Sequence, residues 1–538
     1  MLPVAINSNS ELVVARCTCP DTIEREPRVE RASKRATVVH REKGSYEQIL
    51  KSSALVGGAQ AANIAIGIVR TKTMALLLGP AGFGLFGLYN SILSLAQNFS
   101  SMGINSSGVR QIAEAAATND QQRIGQTTAV LRKTCIALGL LGGLLLLLFS
   151  RPVAQLTFGN TNRGGAVALL AVAVFLSLVS SGQSALIQGM RRIADLARMN
   201  VLGAFFGLCI SIPLVYFLRE DGVVPSLVAV AGMAILTSWW YSRKIDVEKP
   251  AVTFSQVRQE ATALLKLGSA FMASTMMTMG VAYFVRIVIL RKVGFEATGY
   301  YQSAWTLGGL YVGFILQAMG ADFYPRLTAS IENHDECNRL VNEQTLVGLL
   351  IAGPGVLATL TCAPLVITLL YSAKFGAAVE VLRWICLGAM LQVITWPMGF
   401  IVVAKGRPAL FFLVELAWTL VALALSWLCV GGYGLKGAGI AFFASYIFHW
   451  ILIYPVARWL TGFSWSAHNL RIGSLLILLI AAVFCSFYIM PFVWAALLGI
   501  VLTIASGVCS LRILVTLIPT DRLPAAPRKV LALFGARC

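Results

Sequence analysis

The sequence has 538 residues, 57% of them hydrophobic and 12% charged, with a mean hydropathy of +0.75. Soluble domains carry about a quarter charged residues and disordered chains carry few apolar ones, so both classes are excluded. The 43 Lys and Arg against 24 Asp and Glu give +19, which in a water-soluble chain would suggest nucleic acid. Here membrane topology accounts for it, and no nucleic acid partner is expected.

Residues 1–50 are polar, carry both charge signs and lack an apolar h-region, which predicts a flexible cytoplasmic tail. From Lys51 to about Leu517 apolar segments of about 20 residues follow one another, each of spanning length. Fourteen are expected, at 52–78, 82–104, 128–149, 165–188, 199–218, 222–242, 265–290, 298–321, 345–370, 380–403, 408–430, 435–457, 472–490 and 493–515. Backbone groups in hydrocarbon need internal partners, and these runs lack the alternation of barrel strands, so they read as helices. The expected fold is an all-α polytopic membrane protein with about fourteen transmembrane helices. Its expected parts are a lobe over 51–242, a cytoplasmic linker over 243–264 and a second lobe over 265–457. Two extra spans over 458–517 and a cytoplasmic tail over 518–538 complete it.

Positive charge sets the orientation. With the N-terminus inside, 32 of the 43 Lys and Arg fall in inner segments and 7 in outer ones. Arg70, Lys72, Arg286 and Arg383 lie within spans. Both termini are therefore expected in the cytoplasm.

Sliding the chain by 215 residues lays span 1 on span 7 and span 2 on span 8. The turn at Gly79-Pro80 falls on Gly294-Phe295 without a gap. Gln60, Asn63 and Gly67 fall on Thr275, Thr278 and Ala282, and the 3- and 4-residue steps put each set on one helical face. The first face continues to Arg70, and the second reaches Arg286 one residue out of register. In span 2, Asn90, Ser94, Gln97 and Ser101 form another polar face. Such stripes are costly in lipid and face the bundle interior or a water-filled cavity. For the hydroxyl residues, hydrogen bonding between helices is the plainer reading. An offset of 215 keeps the orientation, so the repeat is parallel. Two parallel repeats about the membrane normal are a transporter plan with the pathway between them.

Chemical machinery is sparse. The two GxGxxG strings, starting at Gly82 and Gly432, open membrane helices and lack the βαβ unit that dinucleotide binding requires. No Walker A string is present. The 11 cysteines and 4 histidines show neither a disulfide framework nor metal-ligand spacing, so no metal is expected. Glu415 alone among the carboxylates falls well inside a span. It is a candidate for proton or sodium coupling, or a partner for a cation such as Arg383. A membrane glycan polymerase would need a substantial outer loop, and the longest expected one, about 150–164, is short.

The run from Ile68 through Arg70, Lys72, Gly79, Pro80 and Gly82 to Phe86 resembles the opening of bacterial polysaccharide-export flippases. These are O-antigen-type translocases in the superfamily of the MATE drug exporters and the peptidoglycan lipid flippase. Lys72 matches the family's basic residue seven before the Gly-Pro-x-Gly turn, and Lys405-Gly406-Arg407-Pro408 is similar to its small basic turn before span 11. Fourteen spans, rather than the twelve these flippases often have, are like the peptidoglycan lipid flippase.

The resemblance implies two MATE-like lobes around a central cavity in the bacterial inner membrane. It implies flipping of undecaprenyl-diphosphate-linked oligosaccharide by alternating access, without covalent change. It implies other polysaccharide assembly proteins as partners. A diphosphate enters hydrocarbon only where fixed cations and donors replace its water. Arg70, Arg286 and, on resemblance, Lys72 are the expected diphosphate ligands, although Lys72 points about 120° or more away from the Arg70 face. Gln60, Asn63, Asn90, Gln97, Thr275 and Thr278 are expected to meet glycan hydroxyls. The alternatives are a cation-coupled drug or metabolite antiporter and a peptidoglycan lipid flippase.

Overall fold

The computed structural model describes residues 28–117, 120–247 and 254–517. The chain divides into two compact units, Met1–Gly57 and Gly58–Cys538. Residues 28–50, expected as flexible, are helical, and residues 1–27 and 518–538 lie outside the described residues.

The helices are α1 (Arg28–Ser101), α2 (Ile104–Ala117), α3 (Gln121–Leu148), α4 (Ser150–Phe158), α5 (Gly164–Gly189), α6 (Ile193–Leu218), α7 (Val223–Ser242) and α8 (Phe254–Lys292). They continue as α9 (Phe295–Ala329), α10 (His334–Thr361), α11 (Ala363–Leu370), α12 (Ala378–Ala404), α13 (Pro408–Tyr433), α14 (Leu435–Thr461), α15 (Ala467–Ile489) and α16 (Phe492–Leu517). Among the described residues ten helical stretches are long and apolar enough to cross a membrane, or eleven with the bent α9. Two of the ten, Gly57–Ser101 and Ile193–Ser242, run 45 and 50 residues and hold two expected segments each. All fourteen expected segments overlap helices, but 345–370 is broken at Cys362 between α10 and α11. The short α2 was not anticipated. It buries Ile104, Gly108, Ile112 and Ala115, a 3- and 4-residue pattern on a helix too short to span.

The internal repeat is written in the backbone. Gly79 has φ 65 and ψ −173, and Gly294, 215 positions on, has φ 116 and ψ −177. A side chain would strain this positive-φ extended shape, so glycine sits at both breaks. Arg191 (φ 55) and Gly406 (φ 65) keep the same spacing, as do Arg219 (φ 53) and Gly434 (φ 60). Three turns thus recur at one offset, where sequence identity carries almost no signal.

The apolar cores follow the same division. Of the two largest clusters, one draws mostly on residues from Val285 onward and the other mostly on Leu85 to Ala231. A polar knot ties α15 to α10. Asn342 donates to the Ser464 carbonyl (3.0 Å), and its Oδ1 accepts from the Ser466 amide (2.9 Å) and from Asn469 Nδ2 (3.0 Å).

Candidate functional site

The two halves meet closely at the Gly79/Gly294 end. A Cβ on Gly84 would stand 2.5 Å from the Phe295 carbonyl oxygen, and one on Gly299 would stand 1.9 Å from that of Pro80. Gly84 and Gly299 are themselves 215 apart, so equivalent positions of the two repeats pack backbone on backbone. Small residues permit this close approach between membrane helices.

Polar and aromatic contacts surround the crossing. Arg291 of α8 donates from Nη2 to the carbonyls of Gln155 (2.6 Å) and Leu156 (2.8 Å), at the C-terminal end of α4, where a cation complements the helix dipole. The Tyr283 and Thr157 hydroxyls are hydrogen-bonded to each other. Phe83 packs edge-on against Tyr371 (5.4 Å) and Phe375 (5.8 Å).

On the helices around this crossing lie two of the expected cations. Arg70 is half-buried, its guanidinium carbon 5.7 Å from the centre of the Phe86 ring. Its Nε and Nη2 are buried without a hydrogen-bond partner. Buried donors left unmade cost about 1–3 kcal/mol, more when charged. Arg286 differs. It is 5% exposed, donates from Nε to Gln302 Oε1 (2.8 Å) and from Nη1 to the Ala282 carbonyl (2.6 Å), and lies 5.8 Å from the Tyr301 ring centre. The structure thus separates two arginines that the stripes made equivalent: one has unmet donors and the other is held.

Gln302, which holds Arg286, also reaches the first half. It packs against Gly87, one residue after Phe86, where a Cβ would come within 2.6 Å of its Oε1. Gln302 did not emerge from the sequence, although the 215 offset maps it onto Gly87.

The remaining candidates spread along the same helices. Gln60 and Asn90 are exposed and Asn63 is half-buried. Gln97 is committed to Ser177 of α5 through Nε2 at 2.7 Å. Thr275 and Thr278 are exposed on α8, and each already has an interaction partner. Lys72 is half-buried and makes no ion pair among the described residues.

Glu415 does not pair with Arg383. Arg383 lies over Phe487 at 3.6 Å, near the N-terminal end of α12, while Glu415 is close to the start of α13. Tyr446 of α14 stacks edge-on against Phe442 (5.0 Å) on the same helix. Beside them is a cavity of about 170 Å³ whose lining includes Thr278, Tyr301, Gln392, Trp418, Ser445 and Tyr446. His449, whose ring centre is 6.0 Å from Tyr446 and 6.2 Å from Trp418, has a buried Nδ1 without a partner. An ionisable residue inside span 12 should have drawn the same attention as Glu415.

With this geometry in place, relatives can be compared. The profile of a family described as polysaccharide biosynthesis protein matches residues 73–380. A lipid III flippase of Escherichia coli (strain K12) is 23% identical over 423 residues, covering 75% of this chain and 97% of that protein. A putative O-antigen transporter of Shigella flexneri is 24% identical over 375 residues, covering 68% and 87%. In fold, the chain is similar to the lipid II flippase MurJ in an inward closed conformation, with a TM-score of 0.63 at 14% identity, covering 86% of this chain and 100% of that one. It is also similar to an inward-facing MATE-family multidrug resistance transporter, with a TM-score of 0.59 at 16% identity, covering 76% and 96%.

Proposed function

The chain belongs to the family of polysaccharide biosynthesis proteins, and we propose that it flips an undecaprenyl-diphosphate-linked oligosaccharide across the cytoplasmic membrane by alternating access. The similarity to a lipid III flippase and a putative O-antigen transporter carries the reading. The site geometry supports it, because Arg70 offers unmet guanidinium donors beside the partly buried Phe86 ring. A diphosphate accepts such donors bidentately, and they replace water that it must shed to enter the membrane.

The Gly79/Gly294 end faces outward in this reading, which rests on the 32-to-7 charge asymmetry. The Gly84–Gly299 crossing then seals the outer end, and the diphosphate enters from the cytoplasmic side. Arg286, held by Gln302 and Tyr301, positions the second half around the anion while Arg70 grips it. The polyprenyl tail stays in lipid between helices. No bond of the substrate is made or broken. Proton or sodium coupling through Glu415 belongs to this proposal, with Tyr446, His449 and the adjoining cavity as its surroundings.

The test is Arg70→Ala in cells that depend on the chain for surface polysaccharide. Losing one charge-assisted contact worth about 1.5–3 kcal/mol should slow export about 10- to 150-fold at normal protein abundance. Arg70→Lys should restore export partly, since a point charge replaces a fork. Normal export by Arg70→Ala would overturn the cationic site.

A further inference from the structure

A second charged cleft lies on the far side of the first half, between α3, α5 and α7. It holds about 570 Å³ and its lining includes Arg132 and Lys133 of α3, Gln183 of α5, Trp239 of α7, and Arg243 and Asp246 just beyond α7. Three cations there face one carboxylate. All three cations are exposed, and none is ion-paired among the described residues. In the wall, Thr128 Oγ1 is buried without a hydrogen-bond partner.

This cleft is separate from the Arg70 stripe. Ser177, which receives Gln97 from α1, and Val179, which lines the cleft, are about 200° apart around α5 at 100° per residue. The cleft therefore opens on the back of the helix that α1 packs against.

Its surroundings are those of a membrane interface. Arg243 lies 4.8 Å from the Trp239 ring centre and 4.5 Å from that of Trp240, and tryptophan concentrates at headgroup depth. From Arg132 the exposed side of α3 continues through Ile136, Leu140 and Leu144, a strip of steps of four running into the apolar part of the helix. Cations at one end and an apolar strip at the other match an anionic headgroup with its acyl chain.

We propose that this cleft binds the phosphodiester headgroup of an anionic membrane phospholipid, with Arg132, Lys133 and Arg243 on the phosphate and one acyl chain along α3. Basic pockets between membrane helices are a recurrent form of headgroup site. The site is independent of the transported glycan, so it stands or falls apart from the flippase reading.

The experiment is native mass spectrometry of the purified full chain titrated with phosphatidylglycerol, phosphatidylcholine or glycerol phosphate. Each basic residue contributes about 1 kcal/mol, a fivefold effect, so Arg132→Gln/Arg243→Gln should retain phosphatidylglycerol about 25-fold less well. Lys374→Gln, exposed at the opposite end, should leave retention unchanged. Should the first variant fail to fold, Arg132→Gln/Lys133→Gln leaves the Arg243 stack on Trp239 and Trp240 intact and must show the same loss. Retention of phosphatidylglycerol undiminished in a folded variant would overturn the proposal. Equal binding of phosphatidylcholine would reduce the cleft to an apolar groove, and equal binding of glycerol phosphate would make it a free-anion site; either result overturns the lipid assignment.

Discussion

Gly299→Ala probes the contact on which the closed end depends. The added methyl would stand 1.9 Å from the Pro80 carbonyl oxygen, whereas real Cβ contacts essentially never fall below 3.0 Å. The obstacle is backbone, so no side chain can swing away, and the two halves must part by about 1.1 Å to reach that floor. Overpacking of this kind costs about 1–3 kcal/mol. Confined to one end of a two-state transporter, that cost shifts the balance toward the opened end by about 5- to 150-fold. Nitroxide pairs at Thr161→Cys and Lys374→Cys, both exposed at that end, would report the change by pulsed electron resonance in a chain freed of its native cysteines. A longer distance population should appear in Gly299→Ala and be absent in Gly309→Ala, where a methyl meets open space. An unchanged distance distribution with normal transport in Gly299→Ala would refute the glycine crossing as the seal.

Two further outcomes follow from other parts of the molecule. Asn342→Leu removes three hydrogen bonds that join α10 to α15 and the turn before it, leaving the Ser464 carbonyl and the Ser466 amide unmet while Asn469 keeps its bond to the Asn342 carbonyl (2.8 Å). Interhelical hydrogen bonds are worth about 0.6–2 kcal/mol each, so thermal unfolding in detergent should move down by several degrees. An unshifted midpoint would count against the knot. For orientation, Cys337 is fully buried and cannot serve as a reporter, whereas Asp335 is exposed at the start of α10. Asp335→Cys should react with an impermeant maleimide only after the membrane is opened, and labelling in intact cells would reverse the assigned topology.

Much of the fold was legible because hydrocarbon imposes simple demands. Long apolar runs must become helices, and the glycine turns at 79 and 294 announced the repeat before any coordinate did. The periodicity of apolar residues could not show the break at Cys362 or the docking of α2, since both depend on packing against neighbours. The site was half legible. Stripe reasoning found Arg70 and Arg286 together, but identical spacing on paired helices says nothing about which guanidinium is already satisfied. That difference arises from Gln302, which reaches Arg286 across a helix interface that no local pattern encodes. Likewise, Glu415 could be placed in a span, but its suggested partner Arg383 sits toward the opposite end of its own helix, against Phe487.

The central claim is translocation of a lipid-linked diphosphate glycan without chemistry on it. Its most direct test is the purified chain in liposomes containing a fluorescent undecaprenyl-diphosphate oligosaccharide, followed with an impermeant quencher. The account predicts that wild type speeds exchange between leaflets well above protein-free liposomes, that Arg70→Ala loses most of that gain, and that the recovered lipid has unchanged mass. Exchange no faster than in protein-free liposomes, or recovery of a cleaved or extended glycan, would contradict it.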